Sequence, residues 1–287
     1  MRKLKEFIIE KLILVCGLAA IFFVVLIFLF LLKEGLALFK SVNPFAFIFG
    51  KSWYPISEPA QLGIMPLILG SLLVTLGAAI ISIPIGVACA VYISEVAPSK
   101  TKEILKSGIE LLAAIPSVVL GFIGMVTLVP WVKSVFHLPT GLTALSGSIM
   151  LAFMAMPTIV SVAEDALYSV PKNYKEGAFA LGATHWQTIY RVMLPAASSG
   201  IVAAVMLGIG RVIGETMAVM MITGNSAIIP HSILQPVRTL TATIAAEMGE
   251  AVVGSEHYFA LFAIGIVLFV ISFIINVTAD LFLHKRQ

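Results

Sequence analysis

Two ionisable side chains, Arg211 and Glu215, interrupt an otherwise uncharged apolar run from Val192 to Pro230. A charge at bilayer depth is costly, so such residues face protein or a water-filled path and usually find partners. Their separation predicts that both lie on one side of a helix. Two chemistries are then open. The pair locks a helix bundle and does nothing else, or Arg211 meets an anion in transit while Glu215 holds or releases the guanidinium. A guanidinium fork suits the paired oxygens of phosphate, and Glu215 would repel a naked anion unless it stays paired with a cation.

Other reactive patterns are weak. Gly50-Lys51-Ser52 has Phe45 where a phosphate-binding loop requires glycine. Gly208, Gly210 and Gly214 lie inside an apolar run and read as small residues that permit close helix contact. Cys16 and Cys89 sit in apolar runs far from any histidine cluster, which excludes a disulfide framework and a zinc knuckle. No nucleophile–base cluster and no paired histidine ligands occur in the apolar runs, so neither catalysis, a metal nor a cofactor is expected.

The elements that must carry these residues follow from composition. Of 287 residues, 60% are hydrophobic and 11% charged, with mean hydropathy +1.06. Soluble domains carry about 25% charged residues, and this apolar surplus could not be hidden in one core. A formal net charge of +3 is too small for a nucleic-acid binder. A spanning helix needs about 20 apolar residues. Uncharged runs occupy Leu12–Leu32, Pro59–Ser94, Leu111–Val132, Leu138–Ala163 and Tyr258–Ala279, with Val192–Pro230 the interrupted one. Backbone closure in lipid makes them helices: an all-α polytopic membrane protein with six transmembrane helices. The first run exceeds a signal-peptide core of about 7–15 residues and no small-residue cleavage site follows it, so a retained anchor is expected.

Lysine and arginine asymmetry gives the orientation. With the N-terminus inside, Arg2, Lys3, Lys5, Lys11, Lys100, Lys102, Lys106, Lys172, Lys175, Arg191, Lys285 and Arg286 are cytoplasmic, against Lys33, Lys40, Lys51, Lys133 and Arg238 outside. Both termini and the stretch Glu164–Arg191 then face the cytoplasm. Pro66, Pro84, Pro116 and Pro157 fall within the spans and predict curvature. Outside, Val237, Leu240, Ile244 and Met248 recur at helical spacing and predict a short amphipathic helix at the outer interface, while Glu247, Glu250 and Glu256 discourage unaided anions.

The most informative cytoplasmic stretch is VPKNYKEGAFALGATHWQTIYRVMLPAA, Val170 to Ala197. Pro171 suits a helix start, and Gly182 suits a left-handed helix end. Thr184 with Gln187 has capping-box spacing for a second short helix, whose Trp186, Ile189, Tyr190 and Met193 fall on one face. Two short helices joined at Gly182-Ala183 are expected, with Leu194-Pro195 closing the second. The apolar side chains Phe179, Leu181, Trp186 and Ile189 either pack on the protein's own inner face or fill a groove on a partner.

Glu176-Gly177-Ala178, then Gly182, Val192 and Leu194-Pro195, at these intervals, resembles the "EAA" loop of ABC importer permeases; Gly177 replaces the first alanine and Val192 an isoleucine. The stretches GRVIGETMAVMMITGN (Gly210 to Asn225), HSILQPVRTLTATIAAEMGEA (His231 to Ala251) and Gly63 to Glu95, with Trp53 and Pro55 before it, resemble the permease subunits of phosphate ABC importers. Thr216-Met217-Ala218-Val219 favours the PstC type over the PstA type.

The resemblance implies a MetI-like permease fold in the cytoplasmic (inner) membrane. Residues 1–60 form an anchor helix and first outer loop, and residues 61–287 form the permease core with its coupling loop at 170–195. It implies that Glu176, Gly177, Ala178, Gly182, Trp186, Leu194 and Pro195 couple to a separate ATPase. It also implies that Arg211 and Glu215 serve phosphate passage by alternating access. The implied partners are a PstA-type permease, a PstB-type ATPase dimer and a PstS-type phosphate-binding protein. Spacing and charge alone leave another oxyanion, such as sulfate or molybdate, open. A stand-alone secondary transporter would need an internal repeat and coupling-ion carboxylates, and no repeat is visible.

Overall fold

The computed structural model describes the backbone of residues 2–284 and the side chains of residue 7 and of residues 9–278. The orientation residues Arg2, Lys3, Lys5, Lys285 and Arg286 have side chains outside the described ones. The described chain is mostly helical. Five stretches are long and apolar enough to cross a membrane: Ile9–Lys40, Met65–Val96, Ser117–Val135, Ala144–Tyr168 and Glu256–Thr278. A sixth is a bent pair, His185–Ala196 with Ser198–Gly214, turned by 71°.

In chain order the helices are α1 (Arg2–Ala37), α2 (Pro44–Phe49), α3 (Met65–Val91), α4 (Ser99–Ala114), α5 (Ser117–Ile123), α6 (Val129–Val135) and α7 (Ala144–Tyr168). They continue with α8 (Lys172–Ala180), α9 (His185–Thr188), α10 (Leu194–Ala196), α11 (Ser198–Gly214), α12 (Met217–Ile222), α13 (Leu240–Glu247) and α14 (Glu256–His284). A two-residue hairpin, β1 (Trp53–Tyr54) against β2 (Gln61–Leu62), lies between α2 and α3. Wider π turns extend α3 to Val96, link α5 to α6, and link α9 to α10.

The centre of the bundle is α7, whose principal partners are α3 and α11. In lipid, helices associate through packing and not through exclusion of water, which favours small residues at their crossings. Ile159 of α7 is fully buried between two of them. A Cβ on Gly86 of α3 would lie 2.8 Å from its Cγ2, and one on Gly208 of α11 would lie 2.5 Å from its Cγ1. One β-branched side chain therefore fixes the separation of three helices. The Ser148 hydroxyl of α7 donates to the backbone carbonyl of Ala144 at 2.9 Å and reaches that of Val74 on α3 at 3.2 Å.

Three helix boundaries differ from the sequence expectation. The third span starts at Ser117, not Leu111, because Pro116 forces Ile115 into extended backbone (ψ 127°); Leu111 instead lies exposed on the amphipathic α4. Pro66 stands in the first turn of α3 and Pro116 just before α5, so only Pro84 and Pro157 of the four lie in a helix interior. The run Val192–Pro230 is not one helix. It bends at Ala197 and stops at Gly214, where Glu215 turns extended (ψ 133°) before α12 begins.

Helix α2, the hairpin, α13 and the start of α14 share a buried cluster that includes Phe47, Trp53, Ile64, Leu67, Leu240 and Leu261. Gly50 and Gly63 make backbone-to-backbone contact here, and a Cβ on Gly50 would lie 2.6 Å from Gly63 Cα. The Gly50-Lys51-Ser52 triplet is therefore a structural turn. Val237 and Leu240 are fully buried, and Ile244 and Met248 pack on the same cluster, so α13 is covered by this chain's own residues. Glu247 ties the cap together. Its carboxylate accepts from the Trp53 indole N–H (3.1 Å), pairs with Arg238, and lies 2.9 Å from His257 Nε2. It is thus matched by a cation and is no longer a free repeller of anions.

Two outcomes follow from this packing. Gly208→Leu would overpack the Ile159 crossing at a cost of about 1–3 kcal/mol, so its melting temperature in detergent falls below that of the parent, whereas Gly108→Ala, in open space within α4, does not lower it. Glu247→Ala leaves Arg238 and the Trp53 indole without their acceptor, a loss of about 1–3 kcal/mol; hydrogen exchange should quicken in residues 50–62 and 237–248 and not in α7.

Candidate functional site

The elbow between α8 and α9 is built as its residues dictate. Pro171 precedes α8, and Gly182 takes φ +81° just past its end, a conformation that costs glycine nothing. Thr184 and Gln187 complete the capping box: the Thr184 hydroxyl accepts from the Gln187 amide at 3.3 Å, and the Gln187 side chain accepts from the Thr184 amide at 2.8 Å. The Phe179 and His185 rings stack across the corner, 6.4 Å apart.

The structure divides the apolar side chains of this loop. Ile189 and Met193 are buried, and Ala178 is nearly so. Leu181 (91% exposed), Trp186 (63%), Phe179, Tyr174 and Tyr190 are not. The expected single face of Trp186, Ile189, Tyr190 and Met193 is split, because the π turn over Ile189–Met193 rotates successive side chains apart. Glu176 and Gly177 are exposed on α8, and Leu194 and Pro195 start α10, so the helix passes through them and bends only at Ala197. An apolar groove of about 720 Å³ runs beside Trp186, Tyr190 and Leu194 against Pro84, Val91 and Tyr92 of α3.

Arg211 occupies the last turn of α11 and is exposed. It belongs to a stripe, Leu207, Gly210, Arg211 and Gly214, in which every residue is exposed and neither glycine has an atom within 4 Å of an added Cβ. That is one helical face at spacings of three and four. Glu215 does not share it. Having left the helix, its Oε1 turns toward the Ala218 amide at 3.4 Å, and its carbonyl accepts from the Thr241 hydroxyl at 2.8 Å. Among the described residues no ion pair joins Arg211 to Glu215, so the expected locking pair is not formed. A guanidinium left on a bare face of a membrane helix requires a polar neighbour from another chain or from water.

Sequence reasoning passed over two buried carboxylates that sit one residue beyond the apolar runs as read. Glu164, in the last turns of α7, is 2% exposed and lies between Lys102 Nζ (2.8 Å) and Lys106 Nζ (2.7 Å) of α4. Contact with this carboxylate holds the Lys106 ammonium above its ordinary pKa against a smaller opposing effect of burial. The stabilisation is therefore complete through neutral pH and lost only as pH rises through the raised value. Glu95, in the π turn that ends α3, pairs with Lys175 of α8 at 2.6 Å. The only sequence signal for either was an acidic residue flanking an apolar run.

The chain resembles known proteins over most of its length. The model of the family "binding-protein-dependent transport system inner membrane component" matches residues 82–286. The "probable ABC transporter permease protein YqgH" of Bacillus subtilis is 41% identical over 275 residues, covering 95% of this chain and 89% of that protein. A "phosphate transport system permease protein PstC" of Mesorhizobium japonicum is 34% identical over 264 residues, covering 85% and 80%. Among solved structures, a chain of a bacterial alginate ABC transporter superposes with TM-score 0.65 at 17% identity, covering 94% of this chain and 93% of that one. A chain of the MetNI methionine ABC transporter gives 0.61 at 19%, covering 81% and 100%. At such identities these likenesses carry the fold alone, the MetI-like permease fold. Together with the family match, they place this chain in the family of binding-protein-dependent transport system inner membrane components.

Proposed function

We propose that this chain is the PstC-type permease half of an ATP-driven importer of inorganic phosphate, with both termini in the cytoplasm. It pairs with a PstA-type permease, is driven by two PstB-type ATPase subunits seated on the elbow, and receives phosphate from a PstS-type binding protein outside. The observation that carries the reading is the bare stripe of α11. Its glycines let a second permease backbone approach closely, and its guanidinium then lies where two halves meet, with the fork geometry that an oxyanion needs. The exposed Phe179, Leu181 and Trp186 give an ATPase an apolar surface to grip. Relatives that bear the phosphate-permease name supply the choice of cargo.

Closure of the ATPase dimer displaces α8 and α9, and the bundle re-aims Arg211 from the outer to the inner side. Glu215, turned away from the guanidinium, leaves it free to take the anion. Glu176, Gly177, Ala178, Gly182, Trp186, Leu194 and Pro195 shape the coupling surface. No bond is broken in this chain, since ATP hydrolysis belongs to the separate subunit. The neighbouring reading keeps the machine and changes the oxyanion to sulfate or molybdate.

Uptake of labelled phosphate by the complex in proteoliposomes tests both readings. Arg211→Gln should reduce uptake to background with the complex still assembled, and Arg211→Lys should lose roughly tenfold because a point charge replaces the fork. Full transport by Arg211→Gln rules the role out, and inhibition by sulfate or molybdate with indifference to phosphate changes the cargo. A photocrosslinker at Leu181, the most exposed elbow side chain, should capture the ATPase, whereas one at Ala163, fully buried in α7, should not.

A further inference from the structure

We propose that the Lys175–Glu95 ion pair is the strut through which displacement of α8 enters the membrane bundle, and that both are positioning residues for transport. The inference deepens the reading above and rests on the elbow being the ATPase seat. Helix α8 is otherwise lightly held, with Ala178 as its sole buried residue. Among the described residues, Lys175–Glu95 is the one ion pair between α8 and the rest of the chain.

Its geometry is that of a rigid link. The Glu95 side chain is 6% exposed, one carboxylate oxygen accepts Lys175 Nζ at 2.6 Å, and the other accepts the Ser94 hydroxyl at 3.3 Å. A charge-assisted bond of that length, shielded on one side, resists displacement in a way that exposed surface pairs do not. Its location is also costly for folding alone. Glu95 stands at the C-terminal end of α3, where unpaired carbonyls already concentrate negative charge, and the lysine is what makes the site tolerable.

From Glu95 the route inward is continuous. The other central span repeats the device, with Glu164 of α7 held by Lys102 and Lys106 of α4. Helices α3 and α7 share the most extensive helix contact, so they move together. Ile159 then wedges between Gly86 of α3 and Gly208 of α11, and Gly208 lies one turn before Arg211. A push on Lys175 therefore reaches the guanidinium through close contacts without crossing a flexible loop.

The test uses the full complex with its ATPase and binding protein in proteoliposomes, reading phosphate moved per ATP hydrolysed. Lys175→Gln and Glu95→Gln should each keep ATP hydrolysis within about twofold of the parent while lowering the transport ratio at least about tenfold; Lys175→Arg should retain the ratio, and the exchange Lys175→Glu with Glu95→Lys should restore most of it, since a pairwise link is recovered when its charges trade places. An unchanged ratio in either glutamine variant overturns the strut. So does failure of the exchange to recover it, and so does loss of ATPase binding in Lys175→Gln alone, which would make Lys175 a docking residue. A parent complex that never couples hydrolysis to phosphate uptake overturns the function itself, an outcome separable from the others because it needs no variant.

Discussion

Hydrocarbon offers no hydrogen-bond partner, so any interruption of a spanning helix has to be resolved inside the protein. Three breaks in the helical path, within or next to a span, are resolved locally. At Ile115-Pro116 the Pro116 carbonyl accepts from the amides of Val119 and Leu120. At Ala197 the amide still finds the Met193 carbonyl, and the Ala197 carbonyl receives Ile201, so the chain bends by 71° with both backbone groups of Ala197 bonded. At Gly214-Glu215 the Thr216 and Thr241 hydroxyls take the freed carbonyls. Each break lies beside a candidate working part: the α4 clamp, the elbow and the guanidinium.

The same economy governs charge. Glu247, Glu164 and Glu95 are shielded carboxylates, and each is met by cations from a different element. Glu247 joins the hairpin, the Arg238 loop and α14. Glu164 joins α4 to α7, and Glu95 joins α8 to α3. Arg211, by contrast, meets no carboxylate among the described residues.

Much of this was legible beforehand. The apolar runs, their helical state and the two-helix elbow followed from residue type and spacing, because backbone closure in lipid, the left-handed Gly182 and the Thr184–Gln187 capping box are local effects. The short helix at Leu240–Glu247 was legible as well, but its expected amphipathic, interfacial character was not met, since Leu240, Thr241, Ala242 and Thr243 are all buried and Val237 packs with residues of α3 and α7.

What tertiary structure alone decided is where charges meet. Four-residue spacing suggested that Glu215 would sit beside Arg211, yet the helix ends between them, and the hydroxyl of Thr241, distant in sequence, donates to the freed Glu215 carbonyl. Glu95 and Glu164 looked like ordinary residues flanking spans until Lys175, Lys102 and Lys106 arrived from other helices. Periodicity fixes which side of a helix a residue occupies. It carries no information about which other helix that side will face, because that depends on crossings set by small residues such as Gly86 and Gly208 around Ile159.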